Sequence, residues 1–152
     1  MTLTSEQTVV ACLVLHVLAD FPLQTLGQPR LADLQQKAWW IDAIDRLAGR
    51  PSLDNPERRR QIREQATRKY GDDYKAALWC HSIVWAALTF LPLCTVPGWS
   101  AIVAANAWIH YLVDDLKANH LKINLATDQA LHGWQIGLTV GGYFFVKFLM
   151  GG

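Results

Sequence analysis

The sequence predicts an all-α protein, a four-helix transmembrane bundle with a polar helical insert between helices one and two. Three observations carry this. Four apolar stretches, 8–26, 76–96, 99–116 and 130–150, each approach the roughly 20 residues that span a bilayer. Charge avoids them: Arg30, Lys37, Arg46, Arg50, Arg58, Arg59, Arg60, Arg63, Arg68, Lys69 and Lys75, eleven of the fourteen basic residues, fall in the insert 27–75. Histidine and aspartate recur four residues apart near the ends of the apolar stretches. A hydrophobic fraction of 51% and a mean hydropathy of +0.10 resemble a soluble protein only because they average over so uneven a chain. With 152 residues and no internal repeat, 1–152 reads as one membrane domain.

The first stretch is cleanly apolar over 9–19 and then meets Asp20, Pro22 and Gln24, which predicts a short or tilted span. It has no Lys or Arg before it, the reverse of a secretory signal, so it reads as a retained helix. The insert predicts a helix over 31–47, a Gly-Arg-Pro-Ser break at 49–52 and a charged helix over 56–70, both outside the hydrocarbon. Leu31, Leu34, Ala38, Ile41 and Ala48 recur at helical spacing beside Trp39 and Trp40, which suits either the headgroup zone or packing on the bundle. Pro97 and Gly98 in the short connection 93–98 predict a tight turn, so stretches two and three form an antiparallel hairpin. Cys12, Cys80 and Cys94 are odd in number and sit in apolar stretches, so they read as buried thiols rather than a disulfide framework. Gly133, Gly137 and Gly141 form a small-residue stripe that permits close helix contact, within the bundle or in a homo-oligomer.

Thirteen of the fourteen basic residues lie in the insert and the 117–128 connection. The positive-inside rule therefore places both termini outside, and both charged connections at the cytoplasmic face of a bacterial inner membrane. A net charge of +1 and a pI near 7.8 exclude the electrostatic footprint that nucleic-acid binding demands.

His16 and Asp20, His110 and Asp114, and Asp128 and His132 are pairs four apart, each projecting from one face of its helix. Four crossings bring the end of stretch one, the start of two, the end of three and the start of four to one side. His16, Asp20, His81, His110, Asp114, Asp128 and His132 thus meet at one depth of one membrane face, where ionisable groups are costly and point to function. Imidazoles with carboxylates suit zinc best, with manganese or iron as alternatives. Three aspartates balance two divalent ions and a hydroxide, which predicts a dinuclear centre holding the catalytic ions through those seven residues. Gln24, Asn106, Asp115, Lys117 and Gln129 are the candidates to support the ligands; Lys117 could instead snorkel at the interface. His120 reads as a solvated residue off the pattern, and Cys12 lies a turn deeper than His16.

The run His16-Val-Leu-Ala-Asp20-Phe-Pro-Leu-Gln24, with His81, His110-Tyr-Leu-Val-Asp114-Asp-Leu-Lys117 and Asp128-Gln-Ala-Leu-His132, resembles a family of uncharacterised bacterial and phage multi-pass membrane proteins over nearly the whole chain. The insert at 27–75 is larger than that family's usual one. The pairs are more loosely similar to those of bacterial membrane-bound metal-dependent hydrolases, a resemblance that implies hydrolysis. Together with a site at headgroup depth, this leads to the expectation of a metal-dependent membrane hydrolase acting on a lipid or lipid-linked phosphoester. A metal-ion or proton transporter, and a non-catalytic scaffold with a structural metal site, are the alternatives.

Overall fold

Helices account for the secondary structure of a computed structural model that describes residues 3–49 and 55–151, and no strand occurs among the described residues. Helix α1 (Ser5–Asp20) starts on a capping box, in which Thr4 accepts from the Gln7 backbone N–H while the Gln7 side chain accepts from that of Thr4. A 3₁₀ turn (Leu23–Thr25) and the short helix α2 (Leu31–Leu34) follow, then α3 (Lys37–Ala48) and α4 (Pro56–Tyr70). Asn55 caps α4 and Pro56 occupies its first turn, where a missing N–H costs nothing. Helices α5 (Asp73–Thr89), α6 (Trp99–Ala118) and α7 (Leu125–Leu149) complete the chain.

The insert departs from expectation at one point: the single helix over 31–47 is two. The break at Gln35 and Gln36 is held from outside, by Asn119 at the end of α6. Its side-chain oxygen accepts from the Lys37 backbone N–H at 2.7 Å, and its amide donates to the Gln35 carbonyl at 3.2 Å. A tertiary partner thus satisfies backbone groups that a continuous helix would satisfy internally. In α2, Arg30 forks onto Asp33 at 3.0 and 2.8 Å and holds that carboxyl below its usual range. Beyond Gly49, the predicted break falls on Arg50, Pro51 and Ser52, which lie outside the described residues. Helix α4 packs on α3, with Arg63 paired to Asp45 at 2.9 Å and Ile44, Ala48 and Ala66 buried.

Helices α1, α5, α6 and α7 close a ring in which α1 touches α5 and α7, and α6 touches the same two. Each neighbouring pair is antiparallel: His16 meets Trp85 while Asp20 meets His81, and Asn106 meets Gln135 while Lys117 meets Asp128. The α5–α6 turn requires a glycine, because Gly98 caps α6 at φ +84°. In the half of the bundle nearer that turn the core is largely apolar, built from Cys12, Trp85, Phe90, Ile136 and Val140, with Thr8, Thr89 and Asn106 as buried polar exceptions. Near the opposite end the interior is polar.

Among the described residues one stretch, Ser5–Thr25, is long and apolar enough to cross a membrane, a test also passed by core helices of soluble proteins and by signal sequences. Helix α5 is only 17 residues long, and α6 and α7 carry the His, Asp, Asn and Gln of the polar interior, which lower their apolar content. Two sequence expectations need correction. Cys80 and Cys94 are exposed, and only Cys12 is buried, because apolar stretches here present apolar side chains outward as well as inward. A Cβ built on Gly133, Gly137 or Gly141 meets no atom within 4 Å, so the stripe makes no close contact inside the bundle.

Candidate metal centre

Each of the four helices brings at least one His or Asp to the same end of the ring. Asp20, His81, His110, Asp114 and His132 form two overlapping groups able to hold a metal ion, Asp20 with His81 and His110, and His110 with Asp114 and His132. Within each group the ligand atoms lie within 4.8 Å of one another. Three ligand atoms converge mutually: His81 Nε2 and His110 Nε2 are 3.1 Å apart, and Asp114 Oδ2 lies 3.1 Å from the latter and 3.5 Å from the former. Ligands at about 2.0–2.1 Å from a tetrahedral ion stand about 3.3–3.4 Å from one another. Asp20 Oδ1 is looser, at 3.7 Å from His81 Nε2 and 3.9 Å from His110 Nε2.

Buried polar atoms normally find partners. Here Asp20 Oδ1, Asp114 Oδ2 and Asp128 Oδ1 have no hydrogen bond, and each lies near an imidazole nitrogen; Asp128 Oδ1 is 3.4 Å from His132 Nε2. Thr89 Oγ1 and Gln135 Oε1 are also unpartnered, but their residues stand apart from the carboxylates. Anionic oxygens left bare in the interior are a donor set that a cation satisfies.

Donor chemistry settles the surrounding protons. The Trp85 indole can only donate, and its Nε1 lies 2.9 Å from His16 Nδ1. His16 therefore carries its proton on Nε2, which donates to Gln129 Oε1 at 3.1 Å. The Gln129 amide donates in turn to Asp20 Oδ2 at 3.0 Å and Asp128 Oδ2 at 3.2 Å. Both nitrogens of His16 are thus engaged, and it orients carboxylates through Gln129 instead of facing the ligand cluster.

A second constraint joins His110 and His132, whose Nδ1 atoms are 3.2 Å apart. One proton serves that contact. With Nε2 of His110 free to bind a cation, its Nδ1–H donates to His132, and His132 Nε2–H donates to Asp114 Oδ1 at 3.3 Å. The reverse tautomers free His132 Nε2 and protonate His110 Nε2, so neutral rings in this contact offer one of the two nitrogens at a time.

Of the five supporting candidates, three touch the cluster. Gln129 acts as described, Gln24 Nε2 lies 2.9 Å from His81 Nε2, and Lys117 Nζ lies 2.6 Å from Asp128 Oδ2. Asn106 is elsewhere, stapling α6 to α7 by accepting from Gln135 at 2.9 Å and Thr139 at 3.1 Å. Asp115 accepts from Asn119 at 2.8 Å and pairs with His120 at 3.2 Å, so it supports the insert rather than the site. Sequence reasoning passed over Trp85, which is 0% exposed and also stacks on His110 at 3.9 Å between ring centroids. Its signal was its place four residues after His81, on the same face of α5.

Two cavities of mixed lining, into which the polar side chains of the cluster's end project, open beside it. One, of about 450 Å³, is lined by Asp20, Gln24, Lys117 and Gln129, and the other, of about 250 Å³, by Gln24, Asp114 and Lys117. No protein-family profile, characterised protein or solved structure matches the chain.

Proposed function

We propose that this chain is a multi-pass protein of the bacterial inner membrane that hydrolyses a lipid or lipid-linked phosphoester with one divalent ion, zinc being the best fit, at its cytoplasmic face. The observation that carries the proposal is the set of bare, buried carboxylate oxygens turned toward imidazole nitrogens.

Membrane residence is supported by an inverted distribution of polarity. Leu138 is 70% exposed and Trp134 71%, and Val10, Val14, Ile83 and Phe148 face outward with them, while His110, Asp114, Asp128 and His132 are buried. Such a surface suits lipid, and such an interior suits a functional cluster within spanning helices. Trp79, stacked on Tyr111 at 4.5 Å and beside Trp108 at 5.3 Å, supplies aromatic groups of the kind that gather at headgroup level.

A single ion is favoured over two on charge and on tautomers. Lys117 neutralises Asp128, which leaves the two charges of Asp20 and Asp114 for one divalent cation. The shared proton between His110 and His132 argues the same way. His81, His110 and Asp114 would hold the ion, the three-ligand pattern that leaves a position open for water. When bound, the ion supplies Lewis acidity and eases ionisation of that water. Asp20, aligned by Gln129 and with Oδ1 unpartnered, takes a water proton as the water oxygen bonds to phosphorus; the ester P–O bond breaks and the proton passes to the departing alcohol. Lys117 stands at the rim of both cavities of mixed lining, where a phosphate would meet it.

Inductively coupled plasma mass spectrometry of the purified protein, beside His110→Ala, is the deciding experiment. One ion per chain, lost in the variant, together with a phosphoesterase activity that disappears on chelation, is the expected outcome. Absence of metal from a folded wild type would overturn the reading, and metal binding with Asp20→Asn fully active would remove Asp20 as the base.

A further inference from the structure

Beside the cavities of mixed lining lies a partly enclosed apolar one of about 440 Å³. Leu23, Leu26, Leu31 and Leu34, from the strap that joins α1 to α3, form one side of it, and Ala77 and Val84 of α5 form the other. Leu26, Leu31 and Val84 are themselves exposed, so the cavity opens sideways, onto the surface that the preceding reading assigns to lipid. Its polar lining is confined to two residues. One is His81, whose Nε2 belongs to the candidate metal cluster, and the other is Gln35, which also borders the smaller mixed cavity with Lys117.

We infer that this cavity holds a hydrocarbon chain of the substrate, so that the chain lies under the Leu23–Leu34 strap while an anionic phosphoester head reaches past His81 to Lys117. The inference rests on the proposed hydrolase reading and gives that site its substrate class: an amphiphile with at least one alkyl chain, rather than a soluble phosphate ester. Three features specify the occupant. The walls are mainly aliphatic, with the Trp85 ring and the Cys80 thiol among them, which favours hydrocarbon over a polar group. A ligand residue of the cluster is part of the wall, so a chain in place brings its own head to the reacting centre. Lys117 lines both cavities beside the cluster, and Gln35 is shared by the smaller of them and the apolar one, so the place for a negative head adjoins the chain site.

A dodecyl phosphate bearing a diazirine at the chain terminus tests this on the full-length protein in detergent. Photolysis followed by peptide mapping should give adducts on the strap and the Ala77–Val84 turn of α5, about tenfold above those on outward residues such as Val10 and Leu138. Tenfold corresponds to a preference of about 1.4 kcal/mol. Excess unlabelled dodecyl phosphate should remove the cavity adducts saturably, whereas glycerol phosphate, which has the head and no chain, should not. Ala77→Trp, which fills the cavity, should abolish the enrichment and keep the wild-type metal content. Adducts spread evenly over the outward apolar faces, or unaffected by competitor, would overturn the inference, and the competition arm decides even if Ala77→Trp fails to fold. The two readings fail separately: saturable cavity labelling without metal or hydrolysis leaves the chain site standing and removes the hydrolase, while metal-dependent hydrolysis of a chainless ester without labelling does the opposite.

Discussion

Replacing Lys117 with methionine removes the ammonium that pairs with Asp128, and the cost can be worked from the pair's geometry. The Asp128 side chain is 0% exposed, that of Lys117 is 30% exposed, and they meet at 2.6 Å. Stranding one member of a fully buried pair costs about 3–5 kcal/mol. Water can reach the place of the partly exposed ammonium, which lowers the expectation for Lys117→Met to about 2–3 kcal/mol. For a chain of this size that is a fall of about 5–10 °C in the unfolding midpoint, measurable by thermal melts in detergent at fixed zinc. Asp128→Asn alone should cost less, about 1 kcal/mol, because the freed ammonium can turn to solvent. Combined with Lys117→Met it should recover much of the loss, since neither charge then remains. A Lys117→Met protein melting at the wild-type temperature, or a double variant no more stable than Lys117→Met, would refute the pairing. Two ions per wild-type chain would refute the charge count built on it.

Three other outcomes follow from the same contacts. Gln24→Ala should tighten zinc binding about fivefold in competition with a fluorescent chelator, because the amide and the ion compete for one lone pair on His81 and a hydrogen bond of about 1 kcal/mol is lost. Trp85→Phe removes the donor that sets the His16 tautomer, and should weaken metal binding about 10-fold, the lower end of the effect of outer-shell partners, while circular dichroism stays helical. Bound metal should be retained at neutral pH and released progressively on acidification, since the ligands bind the ion only when deprotonated and protons compete for the same lone pairs; mass spectrometry after equilibration at each pH reads this directly.

Much of the site was legible because helix geometry is local. A spacing of four puts His110 and Asp114 on one face whatever surrounds them, and alternation of four helices brings His81 and His132 to the same end. The charged helix over 56–70 was equally readable from its run of charged residues, and the structure starts it at Pro56 behind an Asn55 cap. What could not be read depended on partners distant in sequence. Asn119 interrupts the insert helix from 84 residues away at Gln35, and nothing within 31–47 announces it. Likewise Lys117 reads as a snorkelling residue until α7 is seen to place Asp128 against it.

From the sequence alone follow which residue types share a helix face and which end of the chain's helices they occupy, since backbone periodicity and connection lengths are enough for that. The tertiary structure decides which atom of each side chain meets which. Trp85 against one nitrogen of His16, and His132 against one nitrogen of His110, assign the protons, because a ring nitrogen is donor or acceptor only according to its neighbour. It also decides which small or apolar residues face outward, as Cys80 and Gly137 do, since a stretch apolar on every side does not say which side its neighbours will cover.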